Sequence, residues 1–117
     1  MRTPVSREAA EHYVWGGVCD GWHLLRSESL SVIEERMPPG SQEQRHFHER
    51  TRQFFYVLDG ELTMELTGAV HTLVPGQGLE IAPDEPHQAM NRGERDTRFL
   101  VISQPPSHSD RVLAAQS

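Results

Sequence analysis

Residues 40–60 read GSQEQRHFHERTRQFFYVLDG, with a glycine at each end and two closely spaced histidines between them. This stretch places His46 and His48 two residues apart, and on a β-strand the side chains of residues i and i+2 point to the same face. Two imidazoles on one face can bind the same metal ion. Gln53 follows after a short polar stretch, and a turn or bulge there returns its side chain to the same side. This stretch therefore predicts a histidine-based metal site beside a β-strand.

A second stretch, from Gly76 to Asn91, reads GQGLEIAPDEPHQAMN and contains one more histidine, His87. Two prolines precede this residue, and a neighbouring strand that starts behind them can bring its imidazole to the first pair. Three neutral imidazoles suit Fe, Mn, Ni, Cu, Zn or Co, and the sequence does not rank these ions. On the spacing alone, the alternative is that these are surface histidines of a β domain, because His-x-His pairs also arise by chance.

Glycines and prolines divide the rest of the chain into short apolar segments, which is typical of an all-β sandwich or barrel. Asp59-Gly60 has the composition of a hairpin turn, and only residues 6–12 have a weak helical pattern, which Ser6 would cap. The predicted strands are Ser29–Met37, Gln53–Leu58, Glu61–Thr67, Ala69–Val74, Gly78–Ile81, His87–Asn91 and Arg98–Ser103.

Composition excludes several classes of function. The chain has 117 residues, enough for one domain, and all 11 of its basic residues are arginines. The absence of lysine excludes Schiff-base chemistry and a P-loop phosphate site. A net charge of -6 without a basic run disfavours nucleic acid and anionic membranes as partners. Cys19 is the single cysteine, so no intrachain disulfide forms, and with no apolar leader we expect a cytoplasmic location.

Together, the two histidine-containing stretches resemble the two glycine-framed motifs of the cupin superfamily. They occur in the family's order and separation, and two such motifs are far more specific than one histidine pair. The matching residues are Gly40, His46, His48 and Gly60 in the first motif, in which Gln53 occupies the glutamate position, and Gly76, His87 and Asn91 in the second.

The resemblance implies a single-domain, all-β protein with the double-stranded β-helix, or jelly-roll barrel, of the cupins. It also implies one divalent transition metal ion in the barrel lumen, with His46, His48 and His87 as ligands. The division expected along the chain is an N-terminal segment at 1–28 that packs on the barrel or on a partner, the barrel at 29–104, and a loose tail at 105–117.

Three positions depart from the family pattern. The proline of the second motif stands one place late, as Pro83, and its glycine is replaced by Asp84, a residue that tolerates the left-handed turn conformation. The family's glutamate is replaced by Gln53. As a neutral ligand, Gln53 would leave the ion its full charge, which weakens metal affinity and attracts an anionic substrate. The alternatives are that Gln53 hydrogen-bonds a water or the substrate, or that Glu49 is the ligand.

Residues for a substrate pocket follow from strand parity. Phe55 and Val57 share the parity of Gln53 and are predicted to line the lumen. Glu34 and Arg36 share one face of an earlier strand, where they would bind a polar substrate or form a solvated edge. The opposite face of the later strand is apolar, which predicts a subunit contact and a homodimer. Its residues are Phe54, Tyr56 and Leu58.

We expect the protein to use one metal ion on a small organic molecule, because a short chain encloses a narrow barrel. The reaction would be that of a dioxygenase, a decarboxylase or an isomerase, in which the metal polarises a carbonyl or a carboxylate. The alternative is a non-catalytic sensor or carrier of a metal or small ligand, because fold alone does not decide function. Apart from Glu34, no titratable base stands out beside the predicted site, which disfavours proton transfer.

Overall fold

The computed structural model describes residues 2–116, and all the regular structure in this range is β-strand, which confirms the predicted all-β class. No helix in this range has the length and apolarity needed to span a bilayer. In chain order the strands are β1 (Glu11–Trp15), β2 (Cys19–Arg26), β3 (Ser31–Met37), β4 (His46–His48), β5 (Arg52–Asp59), β6 (Leu62–Leu66), β7 (Ala69–Leu73), β8 (Gly78–Ile81), β9 (His87–Met90), β10 (Thr97–Gln104) and β11 (Arg111–Leu113).

The strands form two antiparallel sheets with the core between them. One sheet has the order β1-β2-β3-β10-β5-β8, and the other has the order β11-β4-β9-β6-β7. Both sheets contribute fully buried apolar side chains, among them Val57 and Phe99 from the first and Leu62 and Met64 from the second. Because consecutive strands such as β5 and β6 lie in different sheets, the chain winds between the sheets as in a jelly roll. This confirms the predicted double-stranded β-helix.

The Asp59-Gly60 turn joins the two sheets, so its interpretation as a hairpin is wrong. β5 pairs with β8 and β10, whereas β6 pairs with β7 and β9. Gly60 has a φ of 76°, and a Cβ there would lie 2.9 Å from the Cα of Thr97, so this corner requires glycine. The tight hairpin is instead Thr67-Gly68 between β6 and β7, where both residues have positive φ, as a type I′ turn requires.

The N-terminal segment extends the first sheet as a hairpin of β1 and β2, which pairs with β3. The helix expected over residues 6–12 is wrong. The carbonyl of Ser6 accepts hydrogen bonds from the N–H groups of Ala9 and Ala10, which closes a single turn before β1 begins. A helix of seven residues is not stable by itself. From Glu11 onward the backbone instead pairs with β2, which supplies its hydrogen-bond partners.

The C-terminal segment, expected to be a loose tail, contributes β11, which pairs with β4. The carboxylate of Asp110 precedes this strand and accepts three backbone hydrogen bonds of 2.9–3.3 Å from Glu49, Arg50 and Thr51. These bonds lower the pKa of Asp110. Through these bonds the C-terminal segment shapes the loop that leads from β4 to β5.

Candidate metal centre

Strands β4 and β9 bring three imidazoles together between the sheets. His46 and His48 lie on the same face of β4, and His87 at the start of β9 is the register partner of His46. All three side chains are buried, and each offers a ring nitrogen within 4.8 Å of those of the other two. The structure thus brings together the three residues that the sequence singled out as ligands.

Backbone carbonyls orient two of the rings. Nδ1 of His46 lies 2.8 Å from the carbonyl oxygen of Gln44, and Nδ1 of His87 lies 2.9 Å from that of Glu85. A carbonyl only accepts, so each Nδ1 carries the proton and each Nε2 keeps a lone pair. Within the described part of the chain, Nε2 of His87 and both ring nitrogens of His48 are buried without a hydrogen-bond partner. Such a set of free imidazole nitrogens fits a transition metal ion.

Burial keeps the imidazoles neutral. It lowers the pKa of His46 to about 3 and that of His87 to about 4, and the neighbouring imidazoles act in the same direction. Burial also lowers the pKa of His48. Because a metal ion binds only the unprotonated nitrogen, these three residues need not lose a proton to bind a metal ion at neutral pH.

Gln53 faces the same cavity from the other sheet. Its Nε2 donates a hydrogen bond of 3.1 Å to Oγ of Ser103, whereas its buried Oε1 has no partner among residues 2–116. The carbonyl oxygen is therefore the free end of the side chain, and metal ligation by Gln53 stays a prediction. Glu49, the alternative ligand, is exposed and lies outside the histidine cluster.

A cavity of about 1010 Å³ includes His46 and His48 in its wall. This volume is larger than expected for the narrow lumen of a short chain, and it lies at the upper end of the usual range of volumes for ligand sites. The N-terminal hairpin and the C-terminal segment cause the difference, because both add to the wall. Phe55 lines the cavity, and its contact with a substrate stays a prediction. Further lining residues are Tyr13, Trp15, His23, Glu35, Glu43 and Arg111.

Three predicted pocket residues lie elsewhere. β3 turns Glu35 to the cavity, so Glu34 and Arg36 face the other way. Of the two roles predicted for this pair, contact with a polar substrate in the lumen is wrong. Glu34 forms an ion pair of 3.2 Å with Arg98 of the adjacent strand β10, outside the cavity. Val57 is fully buried in the apolar core and does not reach the cavity.

Two carboxylates that the sequence analysis missed line the cavity. Glu43 has one carboxylate oxygen 4.0 Å from Nδ1 of His46, and its other oxygen accepts a hydrogen bond of 2.9 Å from the N–H of Ala89. Burial raises the pKa of Glu35 to about 8, with Glu43 adding to the effect, and burial raises that of Glu43 to about 7. The expectation that no further base lies near the site is wrong. The available signal was the shared parity of Glu35 and the apolar Met37, which places both side chains on one face of the strand.

Known proteins are similar to this chain in sequence and in fold. The Cupin_2 family model, which describes the cupin domain, matches residues 33–103, more than half of the chain. The chain belongs to the cupin family. This cupin is 32% identical over 92 residues to an uncharacterised protein of Methanocaldococcus jannaschii, and the match covers 78% of this chain and 74% of that protein.

Two further relatives carry names from polyketide synthesis. The cupin is 33% identical over 69 residues to the polyketide synthase CurC of Streptomyces cyaneus, a match that covers 59% of this chain and 45% of that protein. Its fold superposes on the polyketide cyclase RemF of Streptomyces resistomycificus with a TM-score of 0.85 and 23% identity, over 100% of this chain and 88% of the other. At that identity the likeness to RemF shows the shared fold alone.

Proposed function

We propose that this cupin binds one divalent transition metal ion through His46, His48 and His87 and acts as an enzyme on a carbonyl compound without oxidising it. The observation that carries the proposal is the cluster of three neutral, buried imidazoles beside a cavity that also holds carboxylates. Decarboxylation, isomerisation and cyclisation of a carbonyl compound all belong to this class, and each of them needs proton transfer.

The metal ion, when bound, supplies a Lewis acid that polarises a carbonyl or carboxylate oxygen. The free carbonyl oxygen of Gln53 is available as a fourth, neutral ligand or as a hydrogen-bond acceptor for the substrate. Phe55 and Trp15 supply an apolar part of the cavity wall, which suits the hydrocarbon part of a small substrate. Arg50 and Arg111 have exposed side chains at the cavity, where their charge favours an anionic substrate.

The cavity carboxylates support proton transfer. Glu35 and Glu43 have pKa values of about 8 and about 7, so each of them can hold or release a proton near neutral pH. The relative CurC, which is named as a polyketide synthase, supports the substrate class, because a polyketide chain carries repeated carbonyl groups. We therefore infer an enolisable β-dicarbonyl compound as the substrate.

The test uses untagged protein and a simple β-dicarbonyl probe, ethyl 2-methylacetoacetate. Metal content is measured for the wild-type protein, for the double variant His46→Ala/His87→Ala and for the control His71→Ala, whose histidine lies on β7 outside the cavity. Loss of the probe's α-proton signal in D2O reports proton transfer, and an oxygen electrode runs on the same samples.

We expect about one metal ion per chain in the wild type and the control, with metal-dependent exchange and no oxygen uptake. The loss of two of the three imidazoles should lower metal affinity by well over 10-fold. Replacing a residue that only hydrogen-bonds to a metal ligand already lowers metal affinity by about 10–100-fold. A double variant that keeps its metal would overturn the ligand assignment. Probe-dependent oxygen uptake would identify a dioxygenase, and binding without exchange or oxygen use would identify a carrier or sensor.

A further inference from the structure

Three neighbouring strands carry Tyr13, Gly21 and Glu35 in one transverse row. Tyr13 of β1 is the register partner of Gly21 of β2, which in turn is the partner of Glu35 of β3. The hydroxyl of Tyr13 donates a hydrogen bond of 3.2 Å to Oε2 of Glu35. The tyrosine side chain therefore crosses the whole width of β2 to reach the next strand.

Gly21 makes this crossing possible. A Cβ at this position would lie 2.5 Å from the ring Cε1 and from the hydroxyl oxygen of Tyr13, far inside van der Waals contact. The backbone of Gly21 does not have a positive φ, so a left-handed conformation is not the reason for the glycine. Its role is to leave room for the ring.

The row ends in the cavity that His46 and His48 line, and both Tyr13 and Glu35 belong to the wall of that cavity. Tyr13 and Gly21 lie outside residues 33–103, which the family model matches, so the row depends on the N-terminal hairpin. The titratable and charged groups that face Glu35 are Tyr13 on β1, Cys19 on β2, Glu43 before β4 and Arg111 on β11.

We propose that Glu35 is the catalytic residue that removes and returns the proton at the substrate carbon, and that Tyr13 is its positioning residue. The proposal rests on the proposed function. The Glu35 carboxylate takes the proton from the carbon next to a carbonyl, the C–H electron pair becomes a carbon–carbon double bond, and the carbonyl π electrons move onto oxygen. The Glu35 carboxylic acid then returns the proton to carbon, so that no oxidant or reductant is consumed.

The environment of the Glu35 carboxyl favours both the removal of the proton and its return. Burial raises the pKa of Glu35 to about 8, so that the acid and the base are both accessible near neutral pH. Burial and the neighbouring Glu35 charge raise the pKa of Tyr13, so the phenol remains a hydrogen-bond donor. One bond to Oε2 fixes the carboxyl and leaves Oε1 for the substrate.

Three variants test the proposal in zinc-loaded protein with ethyl 2-methylacetoacetate as the probe. Glu35→Gln should lower the rate of α-proton exchange by about 100-fold or more, the usual contribution of a general base, with unchanged zinc content. Tyr13→Phe should retain zinc, exchange more slowly and show a shifted pH profile. The matched control is Glu34→Gln, on the same strand but outside the cavity, and it should exchange like the wild type.

A second readout does not depend on activity. The carboxyl carbons of glutamate are labelled with carbon-13 in metal-free protein and followed by NMR during a pH titration. The resonance that disappears in Glu35→Gln should titrate well above the ordinary glutamate range. Its pKa should rise further in Tyr13→Phe, because the bond from Tyr13 favours the ionised carboxylate.

The outcomes separate the two proposals. If the wild type accelerates exchange and Glu35→Gln does so equally, Glu35 is not the proton-transfer residue and the proposed function stands. If Glu35 titrates in the ordinary range and Tyr13→Phe leaves it unchanged, the positioning role is refuted whatever the activity. A wild type without exchange refutes the proposed function together with the catalytic role, while the NMR titration still decides whether Tyr13 positions Glu35.

Discussion

Replacing Glu35 by glutamine should stabilise the metal-free protein at neutral pH and leave its stability at acid pH unchanged. Burial raises the pKa of this carboxyl to about 8 in the folded state, against an unfolded value near 4.3. A carboxyl with a raised pKa binds its proton more tightly in the folded protein than in the unfolded chain. Its contribution to folding stability is therefore fully present below the unfolded pKa and is lost as the pH rises through the folded pKa. Glutamine stays neutral throughout and avoids that loss.

The size of the effect follows from the two pKa values of Glu35. At 1.36 kcal/mol per pKa unit, the gain at pH 7 has an upper limit of about 3.6 kcal/mol. Because the cavity is open to water, which screens the charge, we expect about 1–3 kcal/mol at pH 7 and close to zero at pH 4. The gain should therefore grow between about pH 4.3 and pH 8.

The measurement is urea unfolding in the presence of a chelator at several pH values between 4 and 8. The control Glu34→Gln removes the partner of Arg98 in an ion pair and should show no gain that grows with pH. An equal gain at every pH would indicate better packing instead of a relieved charge. No gain at pH 8 would show that Glu35 is ordinarily solvated, and the reasoning would be refuted.

Four other predictions concern separate features. Since burial lowers the pKa of His46 and His87, zinc release measured with a chelating dye should begin only below about pH 5, and release centred near 6.5 would contradict this. Gln53→Glu should tighten Mn(II) binding by about tenfold or more in a competition titration and weaken probe binding; unchanged metal affinity would assign Gln53 to substrate contact or packing. Gly60→Ala should cost about 2–4 kcal/mol in urea unfolding and Gly68→Ala about 1 kcal/mol, because both have positive φ but only the first meets other atoms. The apolar outer face of β5 should pair two subunits, so light scattering should give twice the chain mass of 13.3 kDa, and a monomer mass would refute the homodimer.

Local rules in the sequence account for much of the site. Two histidines at i and i+2 share a strand face wherever the strand lies, and this rule placed His46 and His48 together. Asp84, which stands where the family has glycine, adopts a φ of 69°, as the tolerance of aspartate for this conformation predicts. These features depend on neighbouring residues only. The third histidine and the jelly-roll fold were predicted from the spacing of the two motifs.

Other features depend on contacts between residues far apart in the chain. Parity separates Glu34 from Glu35, but only the pairing of β3 with β2 and β10 decides which of the two faces the cavity. Asp59-Gly60 is compatible with a hairpin and with a corner between sheets, and the partners of β5 and β6 decide between these.

The two ends of the chain depend most clearly on contacts with distant residues. The strand alternation and the shared face of His46 and His48 could be predicted from the sequence, because side-chain direction along a strand is a property of the local backbone. Only the tertiary structure brought Tyr13 across Gly21 to Glu35, and Asp110 to the loop after His48. The hydrogen bonds that hold these groups join residues 22 and 61 positions apart, and no local preference encodes which distant strand supplies the partner.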